Sequence, residues 1–166
     1  MSIIDKIEEN IKTAVITVSD TRTKETDKGG RLAIGYLKET NAVIDEADYI
    51  IVPDDREEIT RTVKNLLGRG IDAIITTGGT GIARRDVTIE AVRPLFDKEI
   101  EGFGEIFRML SFTEDIGSRS ILSRAVAGTS GRTVIFTLPG STGAVALAME
   151  RLVIPELNHC VHELNK

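Results

Sequence analysis

The sequence predicts an α/β fold, a three-layer α/β/α sandwich in which a mostly parallel sheet ends in a late antiparallel hairpin. Strand-like and helix-like stretches alternate from Thr13 to Pro94, the order that builds parallel sheets from crossover units. The strand candidates Thr13–Val18 and Asp72–Thr77 are apolar or β-branched almost throughout, as strands covered on both faces are. Late in the chain, two further β-branched segments flank Gly128-Thr129-Ser130-Gly131, a composition suited to a hairpin.

The elements follow in order. The first strand stops at Ser19-Asp20, and a polar stretch leads to Gly29-Gly30. Leu32, Ala33, Tyr36 and Leu37 then recur at helical spacing up to Asn41, with Asp27 placed to cap the helix. A second strand is expected from Val43 to Val52, where Ala47, Tyr49 and Ile51 alternate with Asp48 and Ile50 before Pro53. Asp55 with Glu58 three positions on is an acidic capping box for a helix carrying Ile59, Val63, Leu66 and Leu67, ended by Gly68 and Gly70. The strand Asp72–Thr77 runs into a glycine loop, after which Thr88 or Asp86 can cap a brief helix before Pro94. Ile106, Phe107 and Leu110 suggest a helix after Gly102 and Gly104. Ile121–Ala127 and Thr133–Leu138 are the hairpin strands, and Pro139-Gly140-Ser141 is a second glycine turn. A long helical pattern from Ala144 to Leu164 must kink or break at Pro155.

At 166 residues with no linker, repeat or low-complexity tract, the chain reads as a single domain over 1–166, with residues 1–10 as a flexible N-terminal extension. No apolar run approaches the roughly 18 residues that cross a bilayer, and residues 1–10 mix both charge signs unlike a secretory signal. A cytoplasmic protein without membrane partners is expected. A net charge of −5 argues against the broad basic surface that holds nucleic acid. The single cysteine, Cys160, excludes an intramolecular disulfide and a cysteine-built zinc site. His159 and His162 read as a solvated or packed helix end.

Chemistry is concentrated at Thr76-Thr77-Gly78-Gly79-Thr80-Gly81 and the following Arg84-Arg85-Asp86. Glycines in such a loop permit positive φ and remove the Cβ atoms that would keep an anion from the main-chain N–H groups. In α/β sheets ligands gather at the carboxyl edge, so Ser19-Asp20, Gly78–Gly81 and Pro139–Ser141, each after a strand, would share one rim. Asp54, Asp55 and Asp86 stand at the same end, where bare carboxylates would repel phosphate. Two unit charges 4 Å apart cost about 4 kcal/mol at an effective dielectric near 20. A hard divalent cation reverses that, because Mg²⁺ takes one or two carboxylates and completes its shell with water and phosphate oxygens. The pattern points to a magnesium–nucleotide site. The other reading of these residues is a plain reversing turn, with Asp54 and Asp55 as helix caps and Asp86 paired to Arg84 or Arg85. Neither G-x-x-x-x-G-K-[ST] nor G-x-G-x-x-G is present. No histidine stands at the rim, and phosphate-to-phosphate transfer needs none, since a phosphate monoester is largely dianionic at pH 7.

The run from Thr76 to Thr88 resembles the signature of the molybdopterin adenylyltransferase family, MogA/MoaB type. Val18-Ser19-Asp20-Thr21, Asp27-Lys28-Gly29, Val52-Pro53-Asp54, Gly102-Phe103-Gly104-Glu105, Ile121-Leu122-Ser123-Arg124 and Leu138-Pro139-Gly140-Ser141 extend the likeness over nearly the whole chain. The resemblance implies a part in molybdenum cofactor biosynthesis: Mg-ATP-dependent transfer of AMP to the terminal phosphate of molybdopterin, with release of pyrophosphate. It implies Asp86 and Asp54 as catalytic and Mg²⁺-linked residues. Thr77, Gly78, Gly79, Thr80 and Gly81 would cradle the nucleotide, with Ser19, Asp20, Pro139, Gly140 and Ser141 completing the pocket. Ser123 and Arg124 are implied as phosphate contacts and Asp27 as an organiser of the first loop. It further implies a homotrimer or homohexamer, and transfer of product to a molybdate-insertion protein. Ile82 and the compact chain are closer to the MoaB branch, which leaves a noncatalytic molybdopterin-binding or scaffold protein as the alternative. A nucleotide pyrophosphatase, as in competence-damage-type domains, is a third reading on the same fold.

Overall fold

The computed structural model describes residues 10–166, so most of the expected N-terminal extension lies outside the described residues. The chain runs β1 (Ile11–Val18), α1 (Lys28–Lys38), β2 (Ala42–Val43), β3 (Tyr49–Val52), α2 (Arg56–Gly68), β4 (Ala73–Thr77) and α3 (Thr88–Val92). It continues through β5 (Lys98–Glu99), α4 (Glu101–Glu114), β6 (Val126–Ser130), β7 (Thr133–Leu138), α5 (Thr142–Ala148) and α6 (Ile154–Leu164). Among the described residues the sheet order is β2-β1-β4-β7-β6-β5, with β3 sharing the β2 edge of β1. β1 is parallel to β2, β3 and β4, and β4 to β7, whereas β6 is antiparallel to β7 and β5. The expected mostly parallel sheet with an antiparallel end is what forms.

Two cores flank it, because successive side chains of a strand point to opposite faces. On one face Val15, Ile75, Phe136 and Leu138 pack with Ala33 and Leu37 of α1, Phe103 and Phe107 of α4, Val145 and Ala148 of α5, and Leu157 and Val161 of α6. On the other, Ala14, Ile16, Ile74 and Ile135 meet Ile59, Val63 and Leu66 of α2 and Ile89 and Val92 of α3. The central strands β1, β4 and β7 are buried almost throughout, the physical origin of their unbroken apolar character.

Several boundaries differ from the sequence reading. The strand expected over Val43–Val52 is split by a 3₁₀ turn at Glu46–Asp48. Asp48 N donates to Asp45 O at 2.9 Å, and the buried Asp48 carboxylate takes Arg69 at 2.6 Å, so an acid read as part of a strand anchors a turn. Ile121–Ala127 is largely not strand, since Gly117–Leu122 forms a 3₁₀ segment that leaves Ile121 77% exposed. The hairpin turn is Gly131-Arg132, between the paired Ser130 and Thr133. α4 includes Gly102 and Gly104 instead of following them; a Cβ at Gly104 would sit 2.7 Å from Ala125 O, so glycine permits close packing there. α1 stops at Lys38, three residues short of Asn41.

The caps divide likewise. Asp27 accepts from Gly30 N as expected, whereas Asp55 occupies the N-cap of α2 without a side-chain cap bond. α3 is capped at Val87 by neither Asp86 nor Thr88. Pro155 breaks the last helix as foreseen, through a π turn over Met149–Val153.

Candidate functional site

Because β3, β1, β4 and β7 run parallel, the segments after them leave the sheet at one edge. The register places Val18 beside Val52, and Thr77 beside both Thr17 and Leu138. Ser19 N donates to Val52 O at 2.9 Å and Gly78 N to Leu138 O at 2.9 Å. Asp54 N donates to Asp20 Oδ1 at 2.9 Å. A Cβ built on Gly140 would lie 3.3 Å from Gly78 Cα. Ser19-Asp20, Asp54, Gly78–Gly81 and Pro139-Gly140 therefore form one continuous rim.

Within it the glycine loop is held by its carbonyls. Gly78 and Gly79 have φ of 92° and 71°, the left-handed region that glycine alone enters without strain. A side chain would also strike Val18 O at the first and Thr88 Oγ1 at the second. Thr88, buried at the start of α3, gives Oγ1 to Gly78 O at 2.9 Å and its N–H to Gly79 O at 3.1 Å. Arg124 Nε lies 3.3 Å from Thr80 O and 3.0 Å from Gly81 O. With these carbonyls bonded to the protein, the N–H groups of Gly79, Thr80, Gly81 and Ile82 find no acceptor among the described residues. Consecutive unclaimed N–H groups over glycine make an anion-binding concavity.

The acids stand against this loop. Asp86 Oδ2 accepts Ala83 N at 2.9 Å, and the same oxygen would be 2.7 Å from a Cβ on Gly81. The Asp54 carboxyl is held above the ordinary carboxylate range, first by partial burial and next by the charge of Asp20; Arg85 opposes this and Asp86 adds to it. Asp54 therefore feels the charges of Asp20, Arg85 and Asp86. Among the described residues no three His, Cys, Asp or Glu side chains converge as a metal cage. Mg²⁺ bound through one or two carboxylates and completed by phosphate oxygens needs no cage, and a hard carboxylate oxygen of Asp86 set against Gly81, beside N–H groups without an acceptor, fits that mode.

A family model described as probable molybdopterin binding domain matches residues 14–159, a span holding the rim, the loop and both acids. The chain belongs to the probable molybdopterin binding domain family. It is 62% identical to molybdenum cofactor biosynthesis protein B of Staphylococcus carnosus (strain TM300), over 97% of this chain and 95% of that one. A crystal structure of a molybdenum cofactor biosynthesis protein B superposes with a TM-score of 0.90 at 52% identity, covering 95% of this chain and 97% of the other. The tungsten cofactor synthesizing protein MoaB from Pyrococcus furiosus matches with a TM-score of 0.82 at 40% identity, covering 96% and 99%.

In this member of the probable molybdopterin binding domain family, not every residue implied by resemblance offers its side chain to a ligand. Thr77 is buried and turns its Oγ1 to Thr17 Oγ1 at 3.2 Å. Ser19 Oγ accepts the N–H groups of Thr21 and Arg22 at 3.2 and 3.1 Å. Ser141 Oγ caps α5 through Ala144 N at 3.3 Å, while Pro139 and Gly140 close the rim by main chain. Ser123 Oγ is buried without a partner among the described residues. Arg124, implied as a phosphate contact, instead spends its guanidinium on loop carbonyls and on Glu90 at 2.6 Å. The Asp27 carboxylate, implied as an organiser of the first loop, ties the start of α1 to β1 and β3, accepting Thr17 Oγ1 at 2.6 Å, Tyr49 OH at 2.5 Å and Gly30 N at 3.0 Å.

Glu90 was not marked by the sequence reading, Tyr49 was marked only as a strand position, and Thr88 only as a helix cap and the end of the signature run. Thr88 follows Asp86 closely enough for spacing to suggest it, but Glu90 meets Arg124 across 34 positions, a pairing without local signal. Away from the rim, burial pushes the Cys160 thiol up to about 11, so it stays protonated near neutral pH. His159 lies beside Glu156 and Glu163 on α6, in keeping with a helix-surface role.

Proposed function

We propose that this chain acts in molybdenum cofactor biosynthesis as a molybdopterin adenylyltransferase, and the Asp86 carboxylate seated against Gly81 in a loop of unclaimed N–H groups, with Asp54 in its electrostatic reach, carries that reading. A terminal phosphate oxygen of molybdopterin attacks the α-phosphorus of ATP, the bond to the β-phosphate oxygen breaks, and pyrophosphate leaves. The dianionic phosphate needs no protein base. The N–H groups of Gly79–Ile82 hold phosphate oxygens and fix the angle of approach, which is where such transfers gain most. Asp54 and Asp86 would hold Mg²⁺, which when bound supplies neutralisation of phosphate charge.

Protein incubated with molybdopterin and Mg-ATP should yield adenylylated pterin and pyrophosphate. Asp86→Ala should lower turnover by about a hundredfold or more. No product from wild-type protein would overturn the reading; pterin binding without pyrophosphate would identify a noncatalytic binding protein, and ATP hydrolysis without pterin a pyrophosphatase.

Self-assembly belongs to the same proposal. Ile106, Met109, Phe112, Ile116, Ile121 and Leu122 are exposed on α4 and the segment after it, an apolar concentration of the kind that marks protein contact surfaces. A homotrimer or homohexamer covers it, with the product passing to a molybdate-insertion protein. No helix among the described residues is long and apolar enough to cross a membrane.

A further inference from the structure

Arg124 stands behind the glycine loop, on its carbonyl side. Its Nε is 3.0 Å from Gly81 O and 3.3 Å from Thr80 O, one terminal nitrogen is 3.1 Å from Asp86 O, and its own N–H reaches Thr80 O at 3.2 Å. Glu90 takes both terminal nitrogens, at 2.6 and 3.0 Å, a fork-to-fork pairing that fixes the guanidinium plane. The Arg124 guanidinium holds the Glu90 carboxyl below its ordinary range.

In a trans peptide the carbonyl and the following N–H point in opposite directions. Turning the carbonyls of Thr80, Gly81 and Asp86 toward Arg124 therefore turns the N–H groups of Gly81, Ile82 and Val87 away from it. An arginine whose charge is already met by Glu90 is a poor phosphate ligand but a good jig for main-chain direction.

We infer that Arg124, braced by Glu90, is a positioning residue that aims the N–H groups of Gly81, Ile82 and Val87 at the phosphates of a bound nucleotide. The inference rests on the nucleotide reading above. Lysine cannot reproduce it, since an ammonium lacks the planar fork needed to hold three carbonyls and a carboxylate together.

The test compares Arg124→Lys, Arg124→Gln and Glu90→Gln with wild-type protein, using molybdopterin and Mg-ATP as substrates. Arg124→Lys should raise the KM for Mg-ATP about tenfold and leave the KM for molybdopterin unchanged, with a larger rise for Arg124→Gln and about threefold for Glu90→Gln. A merely structural role would lower kcat with the folded fraction and move neither KM. Amide ¹H–¹⁵N shifts and hydrogen exchange of Gly81, Ile82 and Val87 supply a readout independent of turnover and should change in all three variants. Wild-type protein that neither binds nor turns over Mg-ATP would overturn the nucleotide reading, and the amide signals would still report on the clamp. An active wild type with unaltered Mg-ATP KM and unaltered amides in Arg124→Lys would overturn the clamp alone.

Discussion

At Gly78–Gly81 the backbone itself demands glycine, with φ of 92° and 71° at the first two positions and Val18 O and Thr88 Oγ1 where side chains would go. At Gly128–Gly131, with two glycines in four positions against three, the reasons are different. Gly128 lies inside β6 and gives way to the ring of Phe96, while Gly131 turns at φ 58° in open space. Glycine marks close approach or left-handed backbone in both segments, but only the first has its carbonyls fastened behind it and its N–H groups left in front. What surrounds a glycine, more than how many there are, separates a binding loop from a turn.

The contrast orders three substitutions. Gly78→Ala should be the most damaging, destabilising by at least about 3 kcal/mol in denaturant unfolding, because unfavourable φ adds to collision with a carbonyl that cannot swing aside. Near-normal stability would show that the loop is not held as described. Gly128→Ala should cost about 2 kcal/mol, and since its obstacle is a side chain, adding Phe96→Val should restore part of the loss; no such rescue is expected for Gly78→Ala. Gly131→Ala, strained in φ but sterically open, should cost only about 1 kcal/mol.

The smallest effect tests the acids before the binding loop. Asp54 has a raised folded-state pKa, so its contribution to stability is complete below the ordinary carboxylate value and lost as pH rises through the raised one. Asp54→Asn escapes that loss. Its unfolding free energy should exceed that of wild type near pH 7, by no more than about 0.5 kcal/mol given solvent screening, with a correspondingly higher Tm, and the two curves should converge in acid. Added Mg²⁺ should raise Tm for wild type and less for the variant; a higher wild-type Tm without metal would remove the proposed crowding of charge.

The fold was legible where one physical demand dominated. β1, β4 and β7 are buried almost throughout, so their composition announced them, and their parallel order brought three turns to one rim. Legibility failed where two demands shared a residue type. Asp48 looked like part of a strand and is a buried partner of Arg69; Ile121 and Leu122 looked like strand and lie exposed in a 3₁₀ segment. At the site, the loop and both acids could be found because they lie on the short stretches after strands. The Arg124–Glu90 brace joins segments far apart in sequence, and only the folded chain places it behind Gly81.

The wide turn over Met149–Val153 absorbs Pro155, which has no N–H to offer the carbonyl four residues back. Winding an extra residue there advances the phase of everything downstream by roughly 100°. Leu157 and Val161 meet the sheet only at that phase, so a deletion of one residue within 149–153 would rotate both off their seats although no contacting side chain had been altered. The tail of this protein is indexed by length, and its tolerance for change there should be generous to substitution and strict toward insertion or loss.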